Sequence, residues 1–471
     1  MWSRRSTPVE PGGRGAGERS LPSQPRRVRG RAVRRVTRDA VHRALPEALR
    51  EAVLEVARSG DLHGVGVHLV GGPVRDFLLG RALRDVDLIA EPREGDSDAA
   101  SVARGASLGD ARVVMHARFG TVRIDLGRES IDLATVRSEE YATPGALPTV
   151  GRGELLDDLR RRDFRINALA IPLNDCAGRG RQALIDPGEG VADLREGVLR
   201  VFHDRSFHDD PTRALRASRL APRLGMSLAR GSRSALRSAL RDGAFGAVKG
   251  ERYRAELVKV FTDPAHGLDP ARALRLLEDW HVLAALEPGL GLPPEVRPAL
   301  KRLGKDLTLD APRSRRGAAW IAGLRVWLSP LAPGLRRRVL RRLAVRGEQA
   351  QRIAGHPAEA ARLLRSLARA RGRGAIDALL RDLPEDALLS VTAQADAPIR
   401  RRLQRWLRED RAVAVPVTGR DLVALGLEGP AVGKALARIR VAVLDGTVRN
   451  REEALALARE VRPPRRRKKR G

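Results

Sequence analysis

Between residues 60 and 136 the apolar positions fall in short runs and alternations, not in helical stripes. Val65–Val70, Val86–Ala90, Ala111–His116, Thr121–Leu126 and Ile131–Val136 each read as a strand. The last two lie in "TVRIDLGRESIDLATV", which alternates with period two around Gly127 and predicts a hairpin. One helix is expected over Asp39–Arg58 and another after Pro73, between the first two strands. Together these elements predict a small mixed sheet ending near residue 175. From about Gly188 the period changes. "DPTRALRASRLAPRLGM", "AELVKVF", "ARALRLLEDWHVLAAL" and "AEAARLLRSLARA" place Leu, Ala and Val at i, i+3, i+4 and i+7, so the remainder should be helical. The pattern is that of an α+β chain. Residues 1–37, rich in Gly, Pro, Ser and Arg, are expected to be a disordered basic arm. The C-terminal "RRRKKR" is a charge run that either frays in solvent or touches phosphate. No repeat of fixed period is apparent.

Composition sharpens this picture only in part. The 471 residues suffice for two to four domains. The hydrophobic fraction is 42% but the aromatic fraction only 3%, as expected of a mostly helical chain. A net charge of +31 points to a polyanionic partner, nucleic acid before membrane. The excess is almost all arginine spread along the chain, so a compositional bias explains it equally well. The single cysteine, Cys176, excludes an internal disulfide and fits a reducing, cytoplasmic setting. No apolar run approaches the 18 or so residues of a membrane span. The N-terminus lacks the apolar core of a secretory signal.

The chemistry concentrates in "LVGGPVRDFLLGRALRDVDLIAE", residues 69–91. In a strand, residues two apart share a face, so Asp85 and Asp87 should project together while Val86 and Leu88 face the core. Neighbouring carboxylates repel unless a cation joins them, and hard oxygen ligands suit Mg²⁺. The preceding Gly71-Gly72 lets the backbone approach a triphosphate closely, beside the start of the helix after Pro73. Alone, such a pair of aspartates is often solvated surface and a glycine pair a plain turn. Neither a dinucleotide fingerprint nor a Walker spacing is present. "HDRSFHDD" offers His203, Asp204, His208 and Asp209, but without a metal-binding spacing, and no second hydrolase site is expected.

Four stretches, in order, resemble the class II tRNA nucleotidyltransferase and poly(A) polymerase family of the polymerase-beta-like superfamily. They are "LVGGPVRDFLLGRALRDVDL"; "RRDFRINALAI" (Arg161–Ile171); "LIDPGEGVADLREGVLRVFHDRSFHDDPTRALRASRLAPRLGM" (Leu184–Met226); and "VTGRDLVALGLEGPAVGKALARIRVAVLDGTVRNREEALALA" (Val417–Ala458). The resemblance implies a nucleotidyltransferase head over 38–183 and a helical neck over 184–265. A helical body and tail that bind tRNA would follow over 266–460, with a basic end at 461–471.

It further implies CTP and ATP as substrates, tRNA as partner and Mg²⁺ as cofactor. The metal would lie on Asp85 and Asp87, with a third carboxylate at Asp132 or, as its competitor, Asp125. Gly71, Gly72, Arg75 and Asp76 would surround the triphosphate, and Arg162, Asp163 and Asn167 the ribose and phosphates. Asp210 and Arg213 would read the base, with Asp209 orienting Arg213, and Arg216 and Arg219 would also bind the nucleotide. Asp210 and Arg213, three apart, are expected on one helical face, where their donors and acceptors match cytosine and adenine but not uracil or guanine. Two positions depart from the family: Asp209 stands for its usual Glu, and Arg165 for its usual Thr. The Pro/Gly-rich "YATPGALPTVGRGELLDD" is expected to be a loop. The implied activity is addition of CMP and AMP to the tRNA 3′ end. Poly(A) synthesis, a partial CC-adding or A-adding activity, or an inactive RNA-binding protein are the alternatives.

Overall fold

The alternating segments assemble into one six-stranded sheet in the computed structural model. It describes residues 36 and 38–460 apart from 84–85, 94, 117–119, 128, 141–148, 177–183 and 308–312. The arm before Val36, the basic end after Glu460 and Asp85 therefore lie outside the described residues.

The N-terminal helix divides into α1 (Arg38–Ala44) and α2 (Glu47–Leu62). Pro46 explains the break between them, since it has no amide to donate and restrains the residue before it. α2 presents Leu49, Ala52, Val53, Val56 and Ala57 as a buried stripe. Gly60 allows its last turn to lie against β1 (Val65–Val70): a Cβ there would stand 2.5 Å from Val67 Cγ2. β1 is buried on both faces. Val65, Val67 and Leu69 meet the α2 side, whereas Val70 belongs to a smaller cluster with Leu155 and Leu159.

α3 (Gly72–Leu78) leads to β2 (Val86–Pro92), and α4 (Ala99–Gly105) follows. β3 (Arg112–His116), β4 (Thr121–Leu126) and β5 (Glu129–Thr135) form an antiparallel meander. β4 and β5 are the expected hairpin, with Gly127 at φ +77° in the turn. β5 lies parallel to β2, with β1 next to β2 and the short β8 (Ala170–Pro172) at the edge, giving the order β3-β4-β5-β2-β1-β8. Only the β2–β5 pair is parallel, so the sheet is mixed as expected.

Of the expected loop over 141–158, residues 141–148 lie outside the described residues, and the remainder is not a loop. β6 (Arg137–Glu140) pairs antiparallel with β7 (Thr149–Arg152), and α5 (Leu155–Arg160) follows. Gly153 lies so close to this hairpin that a Cβ would meet the Ser138 nitrogen at 2.5 Å. Glycine here serves backbone proximity, which composition alone reads as looseness.

Beyond α6 (Gly190–Glu196) the described chain is helical, as the periodicity predicts, apart from the short paired strands Val198–Leu199 and Ser227–Leu228. The main hydrophobic core runs without interruption from Val36 to Ala393. No core boundary falls near residue 265; among the helices, separate clusters form at 360–406 and 417–458. The helices are further joined by buried polar groups. Arg325, 3% exposed, donates to His356 Nδ1 (3.1 Å), Asp386 (2.6 Å) and Glu359 (2.9 Å). No helix among the described residues is long and apolar enough to cross a membrane.

Candidate active site

The site starts at Gly71, whose φ of +74° and ψ of −132° favour glycine strongly. A Cβ at this position would lie 2.6 Å from Arg162 Nη1. The Gly71 amide donates to the Leu169 carbonyl (3.0 Å), which pins the glycine turn to the Arg161–Ile171 segment. One turn into α3, Arg75 is 3% exposed. Its guanidinium forks onto Asp76 (2.9 Å twice) and donates to Asn167 Oδ1 (2.6 Å). Asn167, in the 3₁₀ turn Arg165–Asn167, donates in turn to Asp163 Oδ1 (3.0 Å). Gly71, Arg75, Asp76, Asp163 and Asn167 thus form one connected unit across more than ninety residues of sequence.

On the sheet, Asp87 is the Cα partner of Asp132 across the parallel β2–β5 pair, flanked by the core pairs Val86–Ile131 and Leu88–Leu133. Asp132 sits exposed, with Arg123 Nη1 on both its oxygens (3.1 and 3.2 Å). Asp125 accepts from Arg123 Nε (2.8 Å) and pairs with Ser130, one step removed from Asp87. Register thus favours Asp132 over Asp125 as the neighbour of Asp87.

The opposite wall is α8 (Arg213–Leu224), preceded by α7 (Ser206–Asp209). Arg216 donates to Asp210 Oδ2 (3.0 Å) and Glu256 Oε1 (3.3 Å). Burial works against its charge, but Asp210, Asp163 and Glu256 hold Arg216 protonated well above the ordinary arginine range. Arg219 pairs with Glu256 (2.8 Å) and Asp263. Glu256 would be raised by its burial, yet Arg219, Arg216 and Lys259 keep its carboxyl below the usual value.

Between the walls lies a cleft of about 510 Å³. Its lining includes Gly72, Arg75, Asp76, Asp87, Asp163, Asn167, Arg216 and Arg219. Four further residues had not been singled out from the sequence: Arg81 and Arg223 line the cleft, and Glu256 and Asp263 stand behind it. Arg223 follows Arg216 by seven residues, a helical period that could have flagged it. Glu256 carries no sequence signal, because only the packing of helix Gly250–Thr262 on α8 brings it near.

Not every expected residue reaches the cleft. Asp210 precedes α8 in extended backbone and caps Thr212 (amide 3.0 Å, hydroxyl 2.6 Å) while accepting from Arg252 (2.8 Å). Arg213 is 4% exposed and donates to the carbonyls of Ser206 (3.1 Å) and Arg161 (2.8 Å). The two therefore do not present a joint edge, because the helix begins only at Arg213 and turns its guanidinium inward. Asp209 lies 3.6 Å from His203 Nε2. His208 is buried and holds Asp242 (2.8 Å). Arg162 is fixed on the buried Asp158 (3.1 Å). The Arg165 backbone packs under Gly190, where a Cβ would meet its carbonyl oxygen at 2.3 Å. The Cys176 thiol is raised by burial and by Asp61, the opposite of an activated nucleophile.

A mixed sheet with facing strand carboxylates, a glycine turn and an arginine-lined cleft closed by a helical wall is the architecture of a nucleotide-transferring head domain. Comparison agrees: residues 67–200 match the poly A polymerase head domain. The A-adding tRNA nucleotidyltransferase of Halalkalibacterium halodurans is 32% identical over 84% of this chain and 88% of its own length. The CC-adding tRNA nucleotidyltransferase of Deinococcus radiodurans is 33% identical over 82% and 86%. The A-adding enzyme of Geobacter sulfurreducens is 31% identical over 86% of this chain, which spans only 46% of that longer protein. Solved structures of CCA-adding enzyme with ATP and with CTP superpose with TM-scores of 0.62 and 0.61 at 26% identity, covering 89% of this chain and 96% of each. The Thermotoga maritima CCA-adding enzyme complexed with tRNA does so with a TM-score of 0.60, at 26% identity and over 89% and 97%. The chain belongs to the tRNA nucleotidyltransferase and poly(A) polymerase family, as its four motifs led us to expect. Nucleotidyltransferases of this kind generally use divalent metals.

Proposed function

We propose that this protein transfers CMP or AMP from CTP or ATP to the 3′ end of tRNA, releasing pyrophosphate. The observation that carries the reading is the pairing of Asp87 with Asp132 across the β2–β5 register, opposite an arginine-rich α8. The 3′ oxygen of the RNA bonds to the α-phosphorus of the nucleotide as the bond to the pyrophosphate oxygen breaks. Arg75, locked by Asp76 and Asn167, is held rigidly enough to orient a phosphate without reorganising. Asp163, fixed by Asn167 and the Phe164 amide, is placed to accept from a ribose hydroxyl. Asp210 acts on the nucleotide through Arg216, whose charge it balances at the cleft wall.

Asp87 and Asp132 supply hard oxygen donors on adjoining strands and fit Mg²⁺, and Asp85 precedes Asp87 by two residues in the sequence. When bound there, the ion would lower the pKa of the attacking hydroxyl and stabilise charge on the departing pyrophosphate. Arg123 shares Asp132, and so competes for the carboxylate that such an ion would use.

The positively charged helical half is suited to phosphates of the acceptor arm, and a lone cysteine accords with a cytoplasmic setting. A narrower reading, addition of A alone or of CC alone, is favoured by the names of the relatives matched over most of their length. Incubation with tRNAs lacking CCA, CA or only the terminal A separates the cases. Extension of all three supports full CCA addition; extension of only the last, or arrest after CC, identifies a partial enzyme. Processive tailing would show a poly(A) polymerase. No metal-dependent incorporation into any of them would overturn the reading.

A further inference from the structure

The cations of the cleft divide into those already neutralised and those that are not. Arg75 is forked on Asp76, Arg216 lies against Asp210 and Glu256, and Arg219 lies between Glu256 and Asp263. Arg81 and Arg223 differ. Among the described residues neither has a carboxylate within ion-pairing distance, and Arg81 Nη1 donates to the Arg223 backbone carbonyl (3.3 Å). That contact sets the two residues side by side, and both line the cleft.

Arg223 is half-buried. Its burial, and then the neighbouring Arg75 cation, lower its proton affinity; Asp76 and Asp263 act on it only from a distance, each already held by another arginine. A guanidinium withdrawn from water and left without a partner is unfavourable until an anion arrives. The cleft lining carries five arginines against three aspartates, so its vacant polarity is positive. Arg81, exposed at the rim, can swing toward a group that the half-buried Arg223 holds. α8 rises about 1.5 Å per residue, which puts Arg223 about 10 Å along the axis from Arg216. A group held there is well separated from one held at Arg216.

We propose that Arg81 and Arg223 form a phosphate-binding subsite of the cleft. The proposal rests on the reading that this cleft receives a nucleoside triphosphate and an RNA 3′ end. The phosphate belongs either to the polyphosphate tail of the nucleotide or to the RNA backbone near its end. Two guanidiniums converging on one tetrahedral anion make the charge-assisted, multidentate contact that phosphate accepts best.

The test titrates the full-length chain, without turnover, against inorganic tripolyphosphate and separately against tRNA lacking CCA. Wild type is compared with Arg223→Gln, Arg81→Gln and Arg223→Lys, each checked by thermal melting. Loss of one charge-assisted phosphate contact should weaken binding about 10- to 100-fold. Weaker tripolyphosphate binding assigns the subsite to the nucleotide tail, and weaker tRNA binding alone assigns it to the RNA backbone. Arg223→Lys should recover part of the loss. If Arg223→Gln fails to fold, the exposed Arg81→Gln carries the test. Unchanged affinity of both Gln variants for both ligands overturns the subsite. Because no nucleotide needs to be transferred, a protein that binds tripolyphosphate but extends no tRNA would overturn the proposed function and leave the subsite standing.

Discussion

Asp87 and Asp132 are direct partners across two parallel strands, although 45 residues separate them in the chain. Their neighbours on either side are buried and apolar, so the register cannot slip by one residue without moving Val86, Leu88, Ile131 and Leu133 out of the core. The carboxylates are thereby held together by the hydrophobic packing around them.

Removing that pair should abolish transfer selectively. Asp87→Ala and Asp132→Asn are each expected to slow nucleotide incorporation by about 10³-fold or more, since metal stabilisation of such a transition state amounts to several kcal/mol. Filter-binding affinity for tRNA should stay near wild type. Asp125→Asn, displaced from Asp87 in the register, should retain most activity; equal loss in Asp125→Asn and Asp132→Asn would contradict the assignment.

Asp210 should act through its arginines. Asp210→Ala leaves Arg216 and Arg252 without their shared carboxylate, so CTP/ATP discrimination should weaken and KM for the nucleotide should rise. Competition between labelled CTP and ATP measures this directly. An unaltered preference would remove Asp210 from nucleotide selection.

His356 gives the protein an acid-sensitive core. The ring is fully buried, accepts from Arg325 through Nδ1 and lies 2.7 Å from Gln394 through Nε2; Asp386 and Glu359 bind the same arginine. Burial, then the Arg325 cation, lower its pKa to about 4. The folded value lies below the unfolded one, so the unfolded chain takes up the proton first and stability falls as pH drops from about 6.5 to about 4. The loss is on the order of 3 kcal/mol. Urea midpoints measured across that window should decline with acidity, and His356→Asn should flatten the decline even though it destabilises at neutral pH.

Asp377 should anchor the C-terminal helices. It is completely buried, and accepts from Trp406 Nε1 (2.9 Å) and from Arg440 (2.9 and 3.1 Å). Asp377→Ala leaves Arg440 partly buried and uncompensated, at a cost of about 3–5 kcal/mol. Limited proteolysis of this variant should release the 417–458 module sooner than in wild type, whereas the head should resist as before.

Much of this molecule was legible before any coordinates. Short apolar runs and one period-two hairpin located five strands of the main sheet but not its edge strand β8, Gly127 located the hairpin turn, and the change of period near Gly188 located the helical half. Both signals are local, because a side chain's face follows from its own position in a strand or helix. The glycine turn was equally local, since Gly71 adopts a backbone geometry that other residues resist. Misreadings arose where local cues had competitors. The helix over Asp39–Arg58 was split by Pro46, and Gly151 and Gly153, which suggested a loop, instead admit a close-packed hairpin.

The sequence by itself determined the strand and helix periods, the glycine turn and the order of motifs that marks the family. Only tertiary structure decided that Asp132 rather than Asp125 stands beside Asp87, that Arg213 turns inward while Arg216 faces the cleft, and that Glu256 neutralises two arginines of α8. These are pairings between distant segments, set by how buried apolar faces fit together, and no spacing along the chain encodes them.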